Sequence, residues 1–582
     1  MSIRKLFLAS AGALILQSCV TQPPVLTASD LLSEPYVLSS GRAFDVDAFF
    51  AALPDWLSVS YAGASFDSGI GAMVVDDLVF SLRAAPDYRI RAGRATIWDA
   101  DVEAMAQVLR GAGDLSVMMP LFDRIAFENI LSEGMQWDTG AQSLGLSIDK
   151  LVLDGLSARS FALADKAGAP EGAAIFRMFA ALATSYAYDG GAYSNFSFQM
   201  NDNQGNVASL TVNEAFARGY DAGRVEYNSA YGVRTKTFTS SGDLLTEVSQ
   251  MIGMDGEANP ASKILQPGVR AQMRTALKNP VAAIAAASGA GSNEREIAFL
   301  EMRDIDLQGA MSWLARWELP PITETDLIDL GSSTIIGEKQ FMNGAVIYER
   351  ARADVTAADF YWLVPSRIDY VETGAVLNVT SLLDVMTSGM PEADQFTAQS
   401  YEAVSALGLE QVAFDGSFNW LWSGETGDTS LQSAVDIVDF ARFEYGAAVG
   451  GPTLARWDEI LRSDDVNSGR YEMSLGGLNF SVTDYQMIDR VLTYVATQSG
   501  ETPEDLRLAA PALIRLSGAE AAAMNPRIPA YLDAVAGFIE TGGTLSINMN
   551  PVEPVSFQEL QMLNNSPQTL PDVLNLTVTH TP

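Results

Sequence analysis

Five segments of this chain repeat one pattern, with apolar residues at every second position, then a polar or acidic residue, then glycine or another apolar residue. They are residues 75–82, 122–129, 146–155, 302–309 and 409–416. Alternation with period two buries one face of a strand and wets the other, as in antiparallel sheets. Parallel α/β sheets use continuous apolar strands instead, so that class is disfavoured. A second motif reads apolar, polar, Tyr, at Tyr61, Tyr227, Tyr370 and Tyr445, and is compatible with a diverged duplication. A third opens helices: Ser241 with Asp243, Thr380 with Ser381, and Thr483 with Asp484 each precede paired apolar residues, and their side-chain oxygens suit N-caps.

Helical spacing of apolar residues predicts helices over 173–186, 262–287, 392–407, 454–461 and 503–540, the last broken near Pro526. Pro280 breaks or kinks the second. A final strand is predicted over 542–550. The expected fold is α+β, elongated, built from repeated antiparallel sheet units each covered by amphipathic helices, with strand, strand, capped helix as the unit. Gly289, Ala290, Gly291, Ser292 and Asn293 read as a linker between an N-terminal region (36–288) and a C-terminal region (294–582).

The N-terminus has its own pattern. Arg4 and Lys5 precede an apolar run from Leu6 to Leu16, too short to span a bilayer and suited to a signal peptide over 1–19. Leu16, Gln17, Ser18 and Cys19 resemble a bacterial lipobox, with Gln17 unusual at its place. Cys19 is then expected to carry lipid, with residues 20–35 as a tether. No later segment is apolar for long enough to be a second span.

Composition removes several chemistries. Cys19 is the one cysteine and His580 the one histidine of 582 residues. A mature chain like this has no internal disulfide, no Cys/His zinc site and no histidine base for a Ser-His-Asp or Cys-His mechanism. Net charge is -36, and no Lys/Arg cluster follows residue 5, so nucleic acid is excluded as a partner. No Gly-rich phosphate loop stands in a strand-turn-helix context, and no cofactor or metal is expected. The remaining catalytic option is paired carboxylates: Asp45 with Asp47, Asp76 with Asp77, Asp304 with Asp306, and Asp464 with Asp465. Solvated strand faces explain them more simply, and a helix cap explains Asp45. The loops 201–206 and 464–469 are oxygen-rich but lack EF-hand spacing and read as hairpin turns. Trp313, Trp362, Trp420 and Trp422 are the candidate binding residues, with Trp420 and Trp422 on one face; sheet core is the competing reading.

Strands ending in Asp-Gly or Gln-Gly, a helix opened by Thr380, Ser381, Leu382 and Leu383, and a Gly-Gly-Thr-Leu-Ser-Ile strand (542–547) followed by Pro-Val-Glu-Pro-Val (551–555) give this chain its texture. It resembles AsmA-like and YdgA-like proteobacterial envelope proteins of unknown function. The resemblance implies elongated sheets with an apolar groove that handles lipid. Those proteins usually carry an N-terminal membrane helix where this chain has its lipobox-like segment. The expectation is a non-catalytic lipoprotein, at the periplasmic side of the outer membrane or in the periplasm. Its partners would be the membrane, through the lipid, and a lipid or glycan ligand. A solute- or glycan-binding lipoprotein and a carboxylate-dependent envelope hydrolase are the alternatives.

Overall fold

The computed structural model describes residues 27–33, 36–51, 57–82, 85–109, 116–133, 136–137, 142–160, 177, 180–201, 207–239 and 291–582, the last stretch except 319, 326, 363, 388–393, 463–471, 518–521, 523–524 and 564–566. Cys19, the tether's first residues, the helix over 262–287 and the loops after Asn201 and Arg462 lie outside the described residues.

All strands join one sheet. They are β1 (Leu57–Ser60), β2 (Gly63–Asp67), β3 (Ala72–Leu82), β4 (Ala85–Trp98), β5 (Met119–Glu133), β6 (Gln136–Trp137), β7 (Gln142–Ala158), β8 (Tyr186–Asn201), β9 (Val207–Asp221), β10 (Arg224–Thr239) and β11 (Gly291–Asp306). Then follow β12 (Ser332–Met342), β13 (Ala345–Tyr361), β14 (Val364–Asn378), β15 (Gln411–Trp422), β16 (Thr429–Ile437), β17 (Ala441–Gly450), β18 (Ser474–Asp484), β19 (Thr544–Met549), β20 (Val555–Ser556) and β21 (Thr577–Thr581). Each long strand from β3 to β19 pairs antiparallel with the next. β1 and β2 flank β3 at one edge, and β21 pairs with β19 at the other, so the sheet is open. At a strand spacing of about 4.8 Å, its hydrogen-bonded direction runs on the order of 80 Å.

The repeated units of the sequence reading are therefore segments of one continuous sheet. Gly291, Ser292 and Asn293, read as linker, open β11 and pair with Thr239, Phe238 and Thr237 of β10. Thus the sheet passes from the N-terminal to the C-terminal region without interruption. Turn chemistry sets the hairpins. Between β12 and β13 the loop is Asn343 and Gly344, both at positive φ, as a tight two-residue hairpin with matching twist requires.

Helices occupy the longer connections. α1 (Ala28–Leu32) and α2 (Val46–Ala51) precede the sheet, and α3 (Val102–Leu109) joins β4 to β5. α4 (Gln308–Arg316) follows β11, α5 (Val379–Thr387) and α6 (Asp394–Ala406) follow β14, and α7 (Leu454–Arg462) follows β17. Between β18 and β19 lie α8 (Met487–Ser499), α9 (Pro503–Ser517) and α10 (Ile528–Thr541); α11 (Phe557–Leu563) and α12 (Leu570–Val573) come after β20. In this half, then, three strands rather than two separate successive helical links. An odd number of antiparallel strands brings the chain out at the opposite end each time, so α4, α5–α6 and α7 alternate between the two ends of the strands. The last capping expectation holds: Asp484 accepts the Ile488 N–H at 3.0 Å. At α5 the cap is Asn378, one position before the helix, which accepts the Ser381 N–H at 3.0 Å.

Left-handed residues recur within the strands. Asp77, Asn129, Asn195, Gly232, Gly337 and Gly374 all have positive φ and stand on alternate strands of the sheet from β3 to β14. Gly155, Gly219, Asp304 and Asp359 do the same on β7, β9, β11 and β13. Only Gly, Asn and Asp adopt this conformation cheaply. At Gly232 a Cβ would stand 2.2 Å from the Asn213 side-chain nitrogen, so no other residue fits without a shift. At Asp77 side-chain parity shifts by one while the pairing keeps its register, Asp76 with Arg94 and Leu78 with Ala92. Val75 and Leu78, three residues apart across Asp77, accordingly enter one apolar cluster with Ala92, Ala95 and Ile130.

Packing differs along the sheet. Leu31 of α1 meets Trp98, Ala126, Val152, Ala192 and Phe216 on one face. Phe49 of α2 with Met105 and Val108 of α3 meets Ile97, Leu121 and Ile125 on the other. At the far end, Ile488 and Leu492 of α8 and Phe538 of α10 meet Val482 and Leu545.

Candidate functional site

Residues in register on paired strands share a face of the sheet. Followed from strand to strand, that rule exposes an apolar row. It starts with Val75, Ala95, Phe127, Leu151, Tyr193 and Ala215 on β3 to β9. It continues through Ala230, Leu300, Ile335 and Ala353 on β10 to β13. Beyond Glu372 and Gly416 it resumes with Val435, Phe443, Val482 and Leu545. Two residues along each strand, on the same face, a second row begins at Ile97, Ile125 and Leu153, passes through Gly191, Ala217, Asn228, Met302, Ser333 and Val355 on the middle strands, and ends at Tyr370, Phe418, Ser433, Tyr445, Phe480, Ile547 and Val578. On the middle strands Ala215 and Ala353 are buried while Ala230, Leu300 and Ile335 are half-buried, and on β17 Tyr445 is 40% exposed.

One polar island interrupts this face, on β11 to β14. Ile297 belongs to the apolar cluster of the middle strands, and its register partner is Glu338, which is 0% exposed. Next to Glu338 comes Arg350 on β13, and Glu372 lies on β14. Arg295 Nε donates to Glu338 at 2.6 Å, and Gln340 donates to the same oxygen at 2.8 Å. Arg350 pairs with the other Glu338 oxygen, and its Nη1 lies 3.6 Å from Glu372 and donates to Tyr370 Oη at 2.6 Å. Tyr370 and Tyr348 both donate to Glu372, the former at 2.7 Å. Small neighbours make room: Ala353 and Ala375 flank the island, and a Cβ on Gly416 would sit 2.8 Å from Glu372 Oε1. Arg350 Nε is buried and has no hydrogen-bond acceptor among the described residues.

The electrostatics follow from this geometry. Burial works to raise the Glu338 carboxyl, but donors Arg295 and Gln340 and the two guanidinium charges outweigh it and hold the acid below its ordinary range. Burial, with Glu372 as acceptor, pushes Tyr370 up to about 12 and raises Tyr348 as well. At neutral pH the island therefore holds Glu338 as a carboxylate beside Arg350, with Tyr348 and Tyr370 protonated. The sequence reading noted Tyr370 but not its partners. Gly337 and Gly374 shift parity within the same strands, so Glu338 and Glu372 look like wet-face residues when alternation is counted straight through.

The tryptophans named from the sequence divide. Trp420 is in register with Ile368 and Leu431, and Leu431 in turn with Ala447, on the same apolar face as Phe418. Trp422 shares that face and meets the Tyr361 ring edge-on at 5.3 Å. Trp313 stands on α4, with the Arg316 guanidinium 4.4 Å from its ring centre. Trp362 sits in the turn after β13 at positive φ, its backbone N–H bonded to Glu324 O at 2.7 Å. Among the described residues, each of the acid pairs has an acid bound to an arginine or to backbone N–H groups, and Asp464 with Asp465 lies outside the described residues. Asp76 and Asp77 bind Arg94 and Arg91, Asp306 binds Arg224 and the Gln308 N–H, and Asp45 caps α2 through the Asp47 and Ala48 N–H groups. Among the described residues, no helix is long and apolar enough to cross a membrane.

Comparison with known proteins adds a boundary. A family model described as an uncharacterized protein matches residues 434–581, which run from within β16 to the end of β21. No curated protein matches the chain. The matched stretch contains the end of both apolar rows and the α8–α10 cluster, while the polar island lies before it.

Proposed function

We propose that this chain is a non-catalytic envelope lipoprotein that handles an amphipathic, lipid-class ligand along the apolar face of its sheet. The single observation that carries the reading is the apolar row that runs from β3 to β13 and resumes from β16 to β19 on an open sheet, beside a second row that is apolar towards its two ends. A face meant only to close a core would end against a second layer. Burying an acyl chain along such rows is favourable by about 0.8 kcal/mol per methylene. In this reading helices cover the face at its two ends, α2 and α3 at one and α8 and α10 at the other, and the ligand lies over the middle strands. Lipid on Cys19 holds the protein at the membrane, on the periplasmic side.

Native mass spectrometry of the full-length protein purified from its own membrane fraction tests this. Bound lipid is the expected result. A lipid-free protein that instead carries a glycan would reject the reading in favour of solute binding.

A further inference from the structure

α9 is apolar on two opposite faces. Its inner face seats on the body through Leu506, which packs on the α8–α10 cluster, and through Pro511, which is fully buried. Ion pairs clamp its flanks: Arg507 binds Asp489 of α8, and Arg515 binds Asp533 and Glu540 of α10, both at 2.9 Å. The outer face of a surface helix ordinarily carries polar and charged residues. Here it carries one stripe of Leu508, Ala509, Ala512, Leu513 and Leu516, spaced i, i+1, i+4, i+5 and i+8. The three leucines are 77%, 62% and 72% exposed, and both alanines are exposed as well.

We propose that this stripe docks α9 flat on the surface of a bilayer without net charge. Area and charge choose that occupant. The stripe offers on the order of 400 Å², about half of the roughly 800 Å² per partner that a stable protein pair buries. A bilayer asks for no matching surface: a helix in the interface plane sinks one apolar face by about 5–10 Å and keeps its flanks among the headgroups. The surroundings are acidic. Glu501, Glu504 and Asp505 are exposed at the start of the helix, and the arginines on its flanks are already matched by Asp489, Asp533 and Glu540. With a net charge of -36 on the chain, an anionic surface repels this helix and a zwitterionic one does not. α9 is tied to α10, which covers the β18–β19 end of the apolar rows, so docking sets that end of the sheet against the bilayer. The stripe lies outside the rows, and docking needs no ligand on them.

The test uses the full-length protein and phosphatidylcholine vesicles brominated along the acyl chains. A fluorescent amino acid is placed at Leu513 in one sample and at Lys339, an exposed residue of β12, in another. The bromines should quench the Leu513 label and leave the Lys339 label bright. Leu508→Glu alters a side chain that points into solvent, so its urea midpoint should match that of the unaltered protein. It should nevertheless shift the docking equilibrium read at Leu513 at least about tenfold towards the undocked helix. An unquenched Leu513 label, or quenching that Leu508→Glu leaves unchanged, overturns the inference, as does docking that added phosphatidylglycerol strengthens. A dimer that forms without lipid in sedimentation and is abolished by Leu508→Glu overturns it too, because a second copy then closes the stripe. The readout is local to α9, so a sheet face found empty of lipid by native mass spectrometry would reject the ligand reading and leave this one standing.

Discussion

Glu338 shows how far one buried residue departs from what its neighbours in sequence suggest. It is flanked by Gly337 and Lys339, a polar context, yet it is the most deeply buried acid of the described sheet. Its carboxyl is held low by the arginines on the strands either side, so its contribution to stability has a defined sign. That contribution is complete above the unfolded glutamate value of about 4.3 and is lost as pH falls through the lower folded value. Glu338→Gln should therefore be clearly less stable than the unaltered protein at pH 7, because it leaves Arg295 and Arg350 without their acid. The gap should shrink at pH 3, below the unfolded glutamate value, because there the unfolded chain takes up the proton and the advantage of the ionised carboxylate in the folded state falls. Urea midpoints at the two pH values check it. An equal gap at both would mean that the ionised carboxylate is not what stabilises this island.

At the scale of elements, strands were more legible than their interiors. Segments 75–82, 122–129 and 146–155 fall in strands, 411–416 begins β15, and 302–306 ends β11. Helices over 392–407, 454–461 and the two parts of 503–540 appear as α6, α7, α9 and α10. Over 173–186 the described residues are helical at 177 and 180–183 and already strand at Tyr186. Less visible was the device inside the strands. A charged residue followed by Asx or Gly, as in Asp76-Asp77, Glu128-Asn129, Asp154-Gly155 and Arg303-Asp304, has the composition of strand texture but marks the left-handed kinks. A count that restarts after each such step would have placed Leu78, Ile130 and Leu156 on their proper side. If the kinks are required, Gly232→Val and Gly337→Val should each cost about 1–3 kcal/mol in urea unfolding, from backbone strain and contact with Asn213 or Ala298. Replacement of Asp77 by glycine should be tolerated within about 0.5 kcal/mol plus the loss of its arginine contact. Equal tolerance of valine and glycine at these positions would show that the kinks are incidental.

For the whole molecule, alternation was enough to give an antiparallel, elongated, sheet-rich fold. It was not enough to show that the pieces join into one sheet, because pairing between β10 and β11 is a long-range contact that no local pattern specifies. Gly291 to Asn293 carry linker composition, but β10 and β12 on either side supply their hydrogen-bonding partners, and tertiary pairing overrides local preference. The apolar face shares that origin. Its rows are assembled from residues hundreds of positions apart, so the tryptophans were legible as candidates while the surface containing Trp420 and Trp422 was not. Register converts a local alternation into a face that crosses the molecule, and it is this conversion on which the lipid reading depends.

Photocrosslinking reads that face directly. A photoreactive phenylalanine analogue placed at Phe418 or Tyr445 lies on the apolar rows, whereas at Asn419 or Glu444, the adjacent positions, it lies on the opposite face. With a phospholipid present, Phe418 and Tyr445 positions should crosslink to acyl chain and Asn419 and Glu444 positions should not. Crosslinking that ignores this alternation, or comes from the Asn419 and Glu444 side, would contradict the account.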